Sequence, residues 1–307
     1  MKLNPMQFLD IYQELYNPET SAAAVLPFPY EGGVSYGRGT AGAPDAILEA
    51  SAFLEFYDEV LETEPCNMGI TTFAAPAIPP EPEKMIRVMY ESAKELIAMN
   101  KFTIVLGGDH SISSGYFRAL LEKYGTLSCI QIDAHSDLRD QYEESPLSHA
   151  SVMARIREMT QHTLQLGIRS MCVEESTLIR EQNLAVYPMH KVRSPEFDLQ
   201  ALLDRLPDPV FITFDVDAFD WSVVSSTGTP EPGGFTWDEA MSILHQIFHS
   251  KNVVGADVVE LSHSEYDRNS PFAMAKLVYK MLGFKLSSVT RKQGLPWPKA
   301  PSGNILL

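Results

Sequence analysis

Short apolar runs rich in β-branched residues alternate along the chain with longer segments of helical period, and this alternation constrains the fold most. The predicted strands cover residues 22–29, 102–107, 127–134, 163–167, 185–188, 209–217 and 253–261. The predicted helices cover residues 82–100, 113–124, 150–159, 174–182, 199–206, 236–248 and 270–282. Such alternation predicts an α/β protein in which helices cover both faces of a mostly parallel sheet.

The chain reads as a single domain of 307 residues. It contains no Gly/Ser linker, no charge run and no repeat of fixed period that would mark a boundary. We expect residues 1–20 to form a peripheral N-terminal segment. Residues 285–307 have three prolines and few periodic apolar positions, and we expect a peripheral tail in which Trp297 is a candidate anchor on a neighbouring subunit.

The net charge of the chain indicates which kinds of partner it can bind. The formal net charge is −16, from 40 acidic and 24 basic residues, which disfavours nucleic acid and favours a cationic small molecule. The N-terminus has no basic region followed by an apolar block, and no stretch approaches the roughly 20 apolar residues of a membrane span. The three cysteines are far apart and form no CxxC pattern, which predicts reduced thiols in a cytoplasmic protein.

Polar side chains follow four of the predicted strands at the point where each strand ends. These positions are His110 after Gly107-Gly108-Asp109, then Asp133, His135 and Asp137, then Asp215 and Asp217, and finally Glu260. Ligands of parallel α/β sheets bind outside the carboxyl ends of the strands. The sequence therefore predicts a functional site at this edge.

The spacing of these residues predicts a metal centre. On an extended backbone alternate side chains point the same way, so Asp133, His135 and Asp137 would face one point, and Asp215 with Asp217 would repeat that geometry. Crowded carboxylates repel one another unless cations neutralise them. One such residue alone is more often a helix cap or a packing histidine, but six together suit two divalent ions. Oxygen and imidazole donors favour Mn²⁺, with Zn²⁺ and Fe²⁺ as alternatives.

Five motifs in order give the chain a resemblance to the ureohydrolase family, which includes arginase and agmatinase. They are Gly107 to Ser111 (GGDHS), Asp133 to Asp137 (DAHSD), Leu166 to Ser170 (LGIRS), Phe214 to Asp220 (FDVDAFD) and Gly228 to Gly234 (GTPEPGG). The similarity extends from about Phe28 to Leu282. The resemblance implies an arginase-like three-layer α/β/α sandwich, two Mn²⁺ ions per subunit and assembly into trimers or hexamers.

The resemblance also implies roles for individual residues. One ion would be held by His110, Asp133, Asp137 and Asp215, and the other by His135, Asp133, Asp215 and Asp217. Asp137 would also orient a hydroxide that bridges the ions and attacks the guanidinium carbon. His149 would give a proton to the leaving amine, and Glu260 would bind the guanidinium group. The alternative for His149 is a residue at a helix end without a catalytic role. The alternative for Glu260 is an ordinary acid at a strand end.

The substrate is predicted from the loop of residues 138–146. It has no Ser-Gly-Asn run for an amino-acid carboxylate, and Asp140, Glu143 and Glu144 favour a substrate with an amine tail. We therefore expect Asp140 to bind agmatine, which would yield putrescine and urea, although these acids would also be compatible with a purely solvated loop. N1-aminopropylagmatine, guanidinobutyrate paired with Arg139, and arginine are alternative substrates.

The other classes of protein considered are a single-zinc deacetylase-like enzyme and a non-catalytic paralogue. After His149, the run Ala150-Ser151-Val152 departs from the Gly-Thr-aromatic of many members, which bears on substrate choice.

Overall fold

The computed structural model describes residues 1–293, and all eight strands in this range belong to one sheet. Trp297, the candidate anchor, lies outside the described residues. The strands are β1 (Ala23–Phe28), β2 (Ile70–Thr72), β3 (Phe102–Gly107), β4 (Ser128–Ile132), β5 (Thr163–Ile168), β6 (Val186–Pro188), β7 (Val210–Asp215) and β8 (Val253–Val259). Their order is β2-β1-β3-β8-β7-β4-β5-β6, and every neighbouring pair is parallel. The predicted parallel sheet is confirmed.

Helices connect the strands. They are α1 (Ala43–Ser51), α2 (Pro82–Ala98), α3 (Ser113–Tyr124), α4 (Val152–Met159), α5 (Val173–Glu181), α6 (Met189–Val192), α7 (Leu199–Leu203), α8 (Trp237–Ser250) and α9 (Asn269–Gln293). Seven of the helices in residues 1–293 correspond to the predicted ones, and α1 and α6 were not predicted. Within residues 1–293, none of the helices combines the length and apolar character needed to cross a membrane.

Helices cover both faces of the sheet, which confirms the α/β/α sandwich. On one face α2, α3 and α4 pack with apolar side chains such as Leu26 and Val105, and on the other α1, α7, α8 and α9 pack with Val25 and Ile104. The alternate residues of each strand thus belong to different cores. Strands of this kind are mostly apolar because both of their faces are buried.

The C-terminal region differs from the prediction of a tail beginning at residue 285. Helix α9 continues to Gln293, and the side chains of Leu286 and Ser288 are buried. Gly283, one residue beyond the predicted end of this helix, allows close packing, because a Cβ atom there would lie 2.7 Å from Leu61 Cδ1.

Candidate active site

The four strands that carry the predicted site are neighbours at the centre of the sheet, in the order β3, β8, β7 and β4. Because all strands are parallel, their carboxyl ends meet at one edge. The sequence separates His110 from Glu260 by 150 residues, yet the backbone N–H of His110 donates a 2.7 Å hydrogen bond to the Glu260 carboxylate. The fold therefore brings the ends of β3 and β8 into direct contact.

His110 occupies the centre of a first group of ligand atoms. It opens a 3₁₀ turn after β3, which Asp109 caps by accepting a 2.8 Å hydrogen bond from the N–H of Ser111. The buried Nδ1 atom of His110 lies 3.3 Å from one oxygen of each of three carboxylates. These carboxylates belong to Asp133, Asp137 and Asp215. Three strand ends thus contribute to one point, as predicted.

A second group lies beside the first and shares Asp133 with it. The Nδ1 atom of His135 lies 2.9 Å from Asp217 Oδ2 and 3.7 Å from Asp133 Oδ1. Ligand atoms of His110, Asp133 and Asp137 lie within 4.8 Å of one another, and so do those of Asp133, His135 and Asp217. The six predicted metal ligands are therefore gathered into two adjoining groups.

The backbone that presents these ligands is not the extended strand that we predicted. Strand β4 ends at Ile132, before the first ligand, and Asp137 has a φ of 52°. Asp217 lies in the 3₁₀ turn Val216–Ala218 rather than on β7. The prediction from alternate side chains was wrong in its mechanism, because turns after the strands bring the side chains together.

Burial and mutual repulsion govern the ionisation of these carboxylates. Burial raises the pKa of Asp133 well above its ordinary value, and the charges of Asp215 and Asp137 add to this effect. Burial and the charge of Asp217 raise the pKa of Asp215 to about 7. For His135, burial acts to lower the pKa, but the Asp217 carboxylate outweighs it and raises the value to about 9. Without cations the crowded carboxylates therefore retain protons, and the only positive charge near Asp217 is the imidazolium of His135.

The ligand atoms fit divalent cations. His110 Nδ1 and Asp217 Oδ2 are fully buried and make no well-aligned hydrogen bond, although other ligand atoms lie close to both. Buried polar atoms normally have a partner. Carboxylate oxygens and imidazole nitrogens without a thiolate are the donor set expected for Mn²⁺ and related ions.

Several supporting residues were not predicted from the sequence. Gln131 donates to Asp133 and Asp137, and Thr213 lies 2.8 Å from the Nε2 atom of His110. Buried Glu175 accepts hydrogen bonds from the Ser136 hydroxyl and the Leu138 N–H, on either side of Asp137. Gln131 and Thr213 could have been predicted from their positions in the sequence. Each stands two positions before an aspartate of the site, on the same side of its strand.

Arg169, in the LGIRS motif, fixes the turn that carries Asp217. Its guanidinium donates hydrogen bonds to the backbone carbonyls of Asp217 and Glu231, at 2.5 and 2.8 Å, and to that of Pro232 at 3.1 Å. Burial lowers the pKa of Arg169, while the nearby Asp217 carboxylate acts in the opposite direction. The motif thus joins the Asp217 turn to the loop that contains Glu231.

His149 and Glu260 lie next to each other beside the first group. His149 Nδ1 is 3.7 Å from Glu260 Oε1, and the buried Nε2 atom of His149 has no hydrogen-bond partner. Burial raises the pKa of Glu260 well above its ordinary value, and the charges of Asp109 and Asp215 contribute. A cationic group would compensate this buried acid.

A cavity of about 210 Å³ opens beside His149. Its walls include His110, His135 and Asp137, together with Arg139 and Tyr142. Asp140 has a different environment from the one predicted. Its side chain is 95% exposed, pairs with Arg155 at 2.9 Å and does not line this cavity.

Comparisons with known proteins agree with this architecture. The chain matches the arginase family over residues 21–283. It is 37% identical over 300 residues to the N1-aminopropylagmatine ureohydrolase of Synechocystis sp., covering 94% of this chain and 96% of that protein. It is 32% identical to the agmatinase of Pyrococcus horikoshii, covering 84% and 90%. The crystal structure of the agmatine ureohydrolase of Thermoplasma volcanium has a similar fold, with a TM-score of 0.84, 24% identity and coverage of 95% and 97%.

Proposed function

The chain belongs to the arginase family, and on this premise we propose that it releases urea from a guanidine with an amine tail, with N1-aminopropylagmatine preferred over agmatine. It is a ureohydrolase, an enzyme that hydrolyses an amidino C–N bond. The reaction consumes water and yields urea and an amine, which would be putrescine from agmatine and the corresponding triamine from the aminopropyl derivative.

The observation that carries this proposal is the contact between His149 and Glu260 beside the two groups of ligand atoms. Glu260 is a buried acid that can pair with a planar guanidinium group, since a carboxylate offers two oxygens to its forked N–H donors. The Nε2 atom of His149 has no hydrogen-bond partner within residues 1–293, so this imidazole can carry a proton to the nitrogen of the departing amine. Substrate binding and proton transfer would therefore use neighbouring side chains.

We assign the cation ligands to the six residues at the strand ends. One cation would be held by His110, Asp133, Asp137 and Asp215, and the other by His135, Asp133, Asp215 and Asp217. When bound, two divalent cations would neutralise the carboxylates and supply Lewis-acid activation of water. The donor set supports Mn²⁺. Asp137, whose turn is held by Glu175, would accept a hydrogen bond from the attacking water and orient it.

The preference for N1-aminopropylagmatine revises our expectation from the sequence. Agmatine had been favoured because of the acidic loop, but Asp140 pairs with Arg155, and Arg139 lines the cavity instead. The loop acids therefore no longer support one amine over another. The support comes from the Synechocystis relative, which is more similar over a larger share of this chain than the agmatinase of Pyrococcus horikoshii.

Urea release from competing substrates tests the proposal. We expect kcat/KM under saturating Mn²⁺ to be highest for N1-aminopropylagmatine, lower for agmatine and lowest for arginine. Guanidinobutyrate tests whether Arg139, which lines the cavity, binds a carboxylate. Asp140→Ala is the matched control for the loop and should change the ranking little, because this side chain faces solvent. A preference for arginine would overturn the assignment. Absence of urea with every guanidine, together with deacetylation or no activity, would favour the single-zinc or non-catalytic alternative.

We also propose a cytoplasmic homo-oligomer that acts in polyamine formation. The three cysteines are free, which supports a reducing compartment. Phe53 and Phe272 are exposed by 80% and 43%, which supports a further contact surface. Light scattering of the purified protein would measure the subunit number, for which we expect three or six.

A further inference from the structure

Two glutamine side chains are buried side by side behind the first group of ligand atoms. Gln131 on β4 and Gln165 on β5 are paired in register, and their residues are 0% and 1% exposed. Burying an amide without hydrogen bonds costs roughly 1–3 kcal/mol, so two adjacent amides in a parallel sheet need defined partners. Their hydrogen bonds lead directly to the site.

The hydrogen bonds fix the orientation of both amides. The Nε2 atom of Gln165 donates to the side-chain oxygen of Gln131 and, at 2.7 Å, to the backbone carbonyl of Ser136. Gln131 therefore uses its oxygen as the acceptor, and its NH₂ group must face the other way. That group donates to Asp133 Oδ2 at 2.6 Å and to Asp137 Oδ2 at 3.2 Å.

The two oxygens that Gln131 holds are ligand atoms of the first group. Asp133 Oδ2 and Asp137 Oδ2 each lie 3.3 Å from His110 Nδ1. A carboxylate oxygen has more than one lone pair, so it can accept from an amide and still face a cation. One NH₂ group thus bridges two carboxylates, of which Asp133 is also held through its Oδ1 atom by the N–H of His135 at 2.6 Å.

We propose that Gln131, oriented by Gln165, is a positioning residue that holds Asp133 and Asp137 ready for the cation shared with His110, and so sets the affinity of that cation site. The inference rests on the proposed function, because it assumes that the strand-end residues bind cations. Both oxygens that Gln131 holds face His110, whereas the other site shares only Asp133 and has its Oδ1 atom nearby, so we expect the larger effect at the site with His110. Asp217 receives its support from the N–H of Ala134 at 3.1 Å and from the turn that Arg169 fixes, neither of which involves Gln131.

Titration of the cation-free enzyme with Mn²⁺, followed by electron paramagnetic resonance of free Mn²⁺, tests this inference. Gln131→Met keeps the length of the side chain but removes both donors. We expect it to weaken one of the two Mn²⁺ sites by about tenfold or more, the size typical for loss of an outer partner of a metal ligand. The other site should change by less than about threefold. Asp217→Asn should have the opposite pattern, which identifies the site that each variant affects.

Two further variants separate positioning from general damage. Gln165→Met leaves the Gln131 donors in place but removes the group that orients them, so a smaller loss at the same site is expected. Ser128→Ala is the matched control, because it removes a buried 2.6 Å hydrogen bond to Pro207 at the far end of β4. It should leave both Mn²⁺ affinities unchanged. If Gln131→Met does not fold, Gln165→Met carries the test.

The outcomes distinguish this inference from the proposed function. Equal weakening of both sites, or unchanged binding in both glutamine variants, would overturn the positioning role while the ureohydrolase assignment stands. A wild-type protein that binds no divalent cation would overturn both. Selective loss at the site that Asp217→Asn leaves intact would support the inference.

Discussion

Two acidic residues at the site have backbone angles that side chains disfavour. Asp137 has a φ of 52° and Glu260 a φ of 66°. Left-handed angles in residues other than glycine cost free energy and persist where the surroundings enforce them. Here the surroundings are visible, since Glu175 holds the chain on both sides of Asp137, and Thr227 donates to the Glu260 carbonyl at 3.0 Å. These supports hold the Asp137 carboxylate at the cavity wall and the Glu260 carboxylate beside His149.

His149 provides the prediction at the scale of single residues. We expect His149→Ala to bind Mn²⁺ as the wild type does but to lose at least about 100-fold in kcat, because proton transfer by a positioned group contributes a factor of this size. The side chain contacts Glu260 and is not among the ligand atoms of either group. His162→Ala, at an exposed position, is the control. Turnover that survives in His149→Ala would remove this residue from the mechanism.

At the scale of elements, most strands of the sheet could be predicted because burial on both faces makes them mostly apolar. Helices α1 and α6 and strand β2 were not predicted. Strand β2 has three residues, Ile70–Thr72, too few for a period to show. Helix α1 follows a glycine-rich loop and has Pro44 near its start, which resembles a turn in sequence.

The candidate site was likewise only partly predictable from the sequence. The six ligands follow strand ends, and a rule about parallel sheets locates them. The turns that aim them depend on contacts between distant segments, such as Glu175 with Leu138 and Arg169 with Glu231. The prediction for Asp140 was wrong for a related reason. Its position in an acidic loop suggested a substrate contact, but its side chain pairs with Arg155, 15 residues away in the sequence.

Helix α8 provides the prediction at this scale. Thr236 caps the helix and exchanges hydrogen bonds with Glu239, whose pKa falls to about 2, mainly through its contact with Arg193. A depressed pKa means that the ion pair stabilises the fold above the ordinary pKa of 4.5 and loses this effect as pH falls toward 2. Glu239→Gln should therefore lower the free energy of unfolding by about 0.5 kcal/mol at pH 7, a value typical of a partly exposed pair.

Urea denaturation at several pH values measures this effect. The difference between wild type and Glu239→Gln should shrink between pH 4.5 and 2, and Glu196→Gln, at an exposed position, should show no such change. A difference that stays constant over this range would show that the helix end does not depend on the charge of Glu239.

For the whole molecule, the distribution of charge matters more than its total of −16. Four aspartates lie together, buried at the centre of the sheet edge, and the pKa of two of them is raised by burial and mutual repulsion. Their repulsion opposes folding unless cations are present. The strand order places this cost at the ends of β7 and β4, which are neighbours in the middle of the sheet. Loss of cations should therefore affect global stability as well as turnover.

Cation binding should raise the melting temperature of the whole chain. A ligand that binds only the folded state at a concentration 1,000-fold above its Kd stabilises it by about 4 kcal/mol. We expect calorimetry to show a Tm several degrees higher with Mn²⁺ than after chelation. Asp45→Asn, at an exposed position outside the site, should respond to Mn²⁺ like the wild type. Asp215→Asn should gain less in Tm from Mn²⁺. It should also have a higher Tm than the wild type after chelation, because one buried charge is gone. Identical melting curves with and without Mn²⁺ would mean that the carboxylates are compensated by something other than cations.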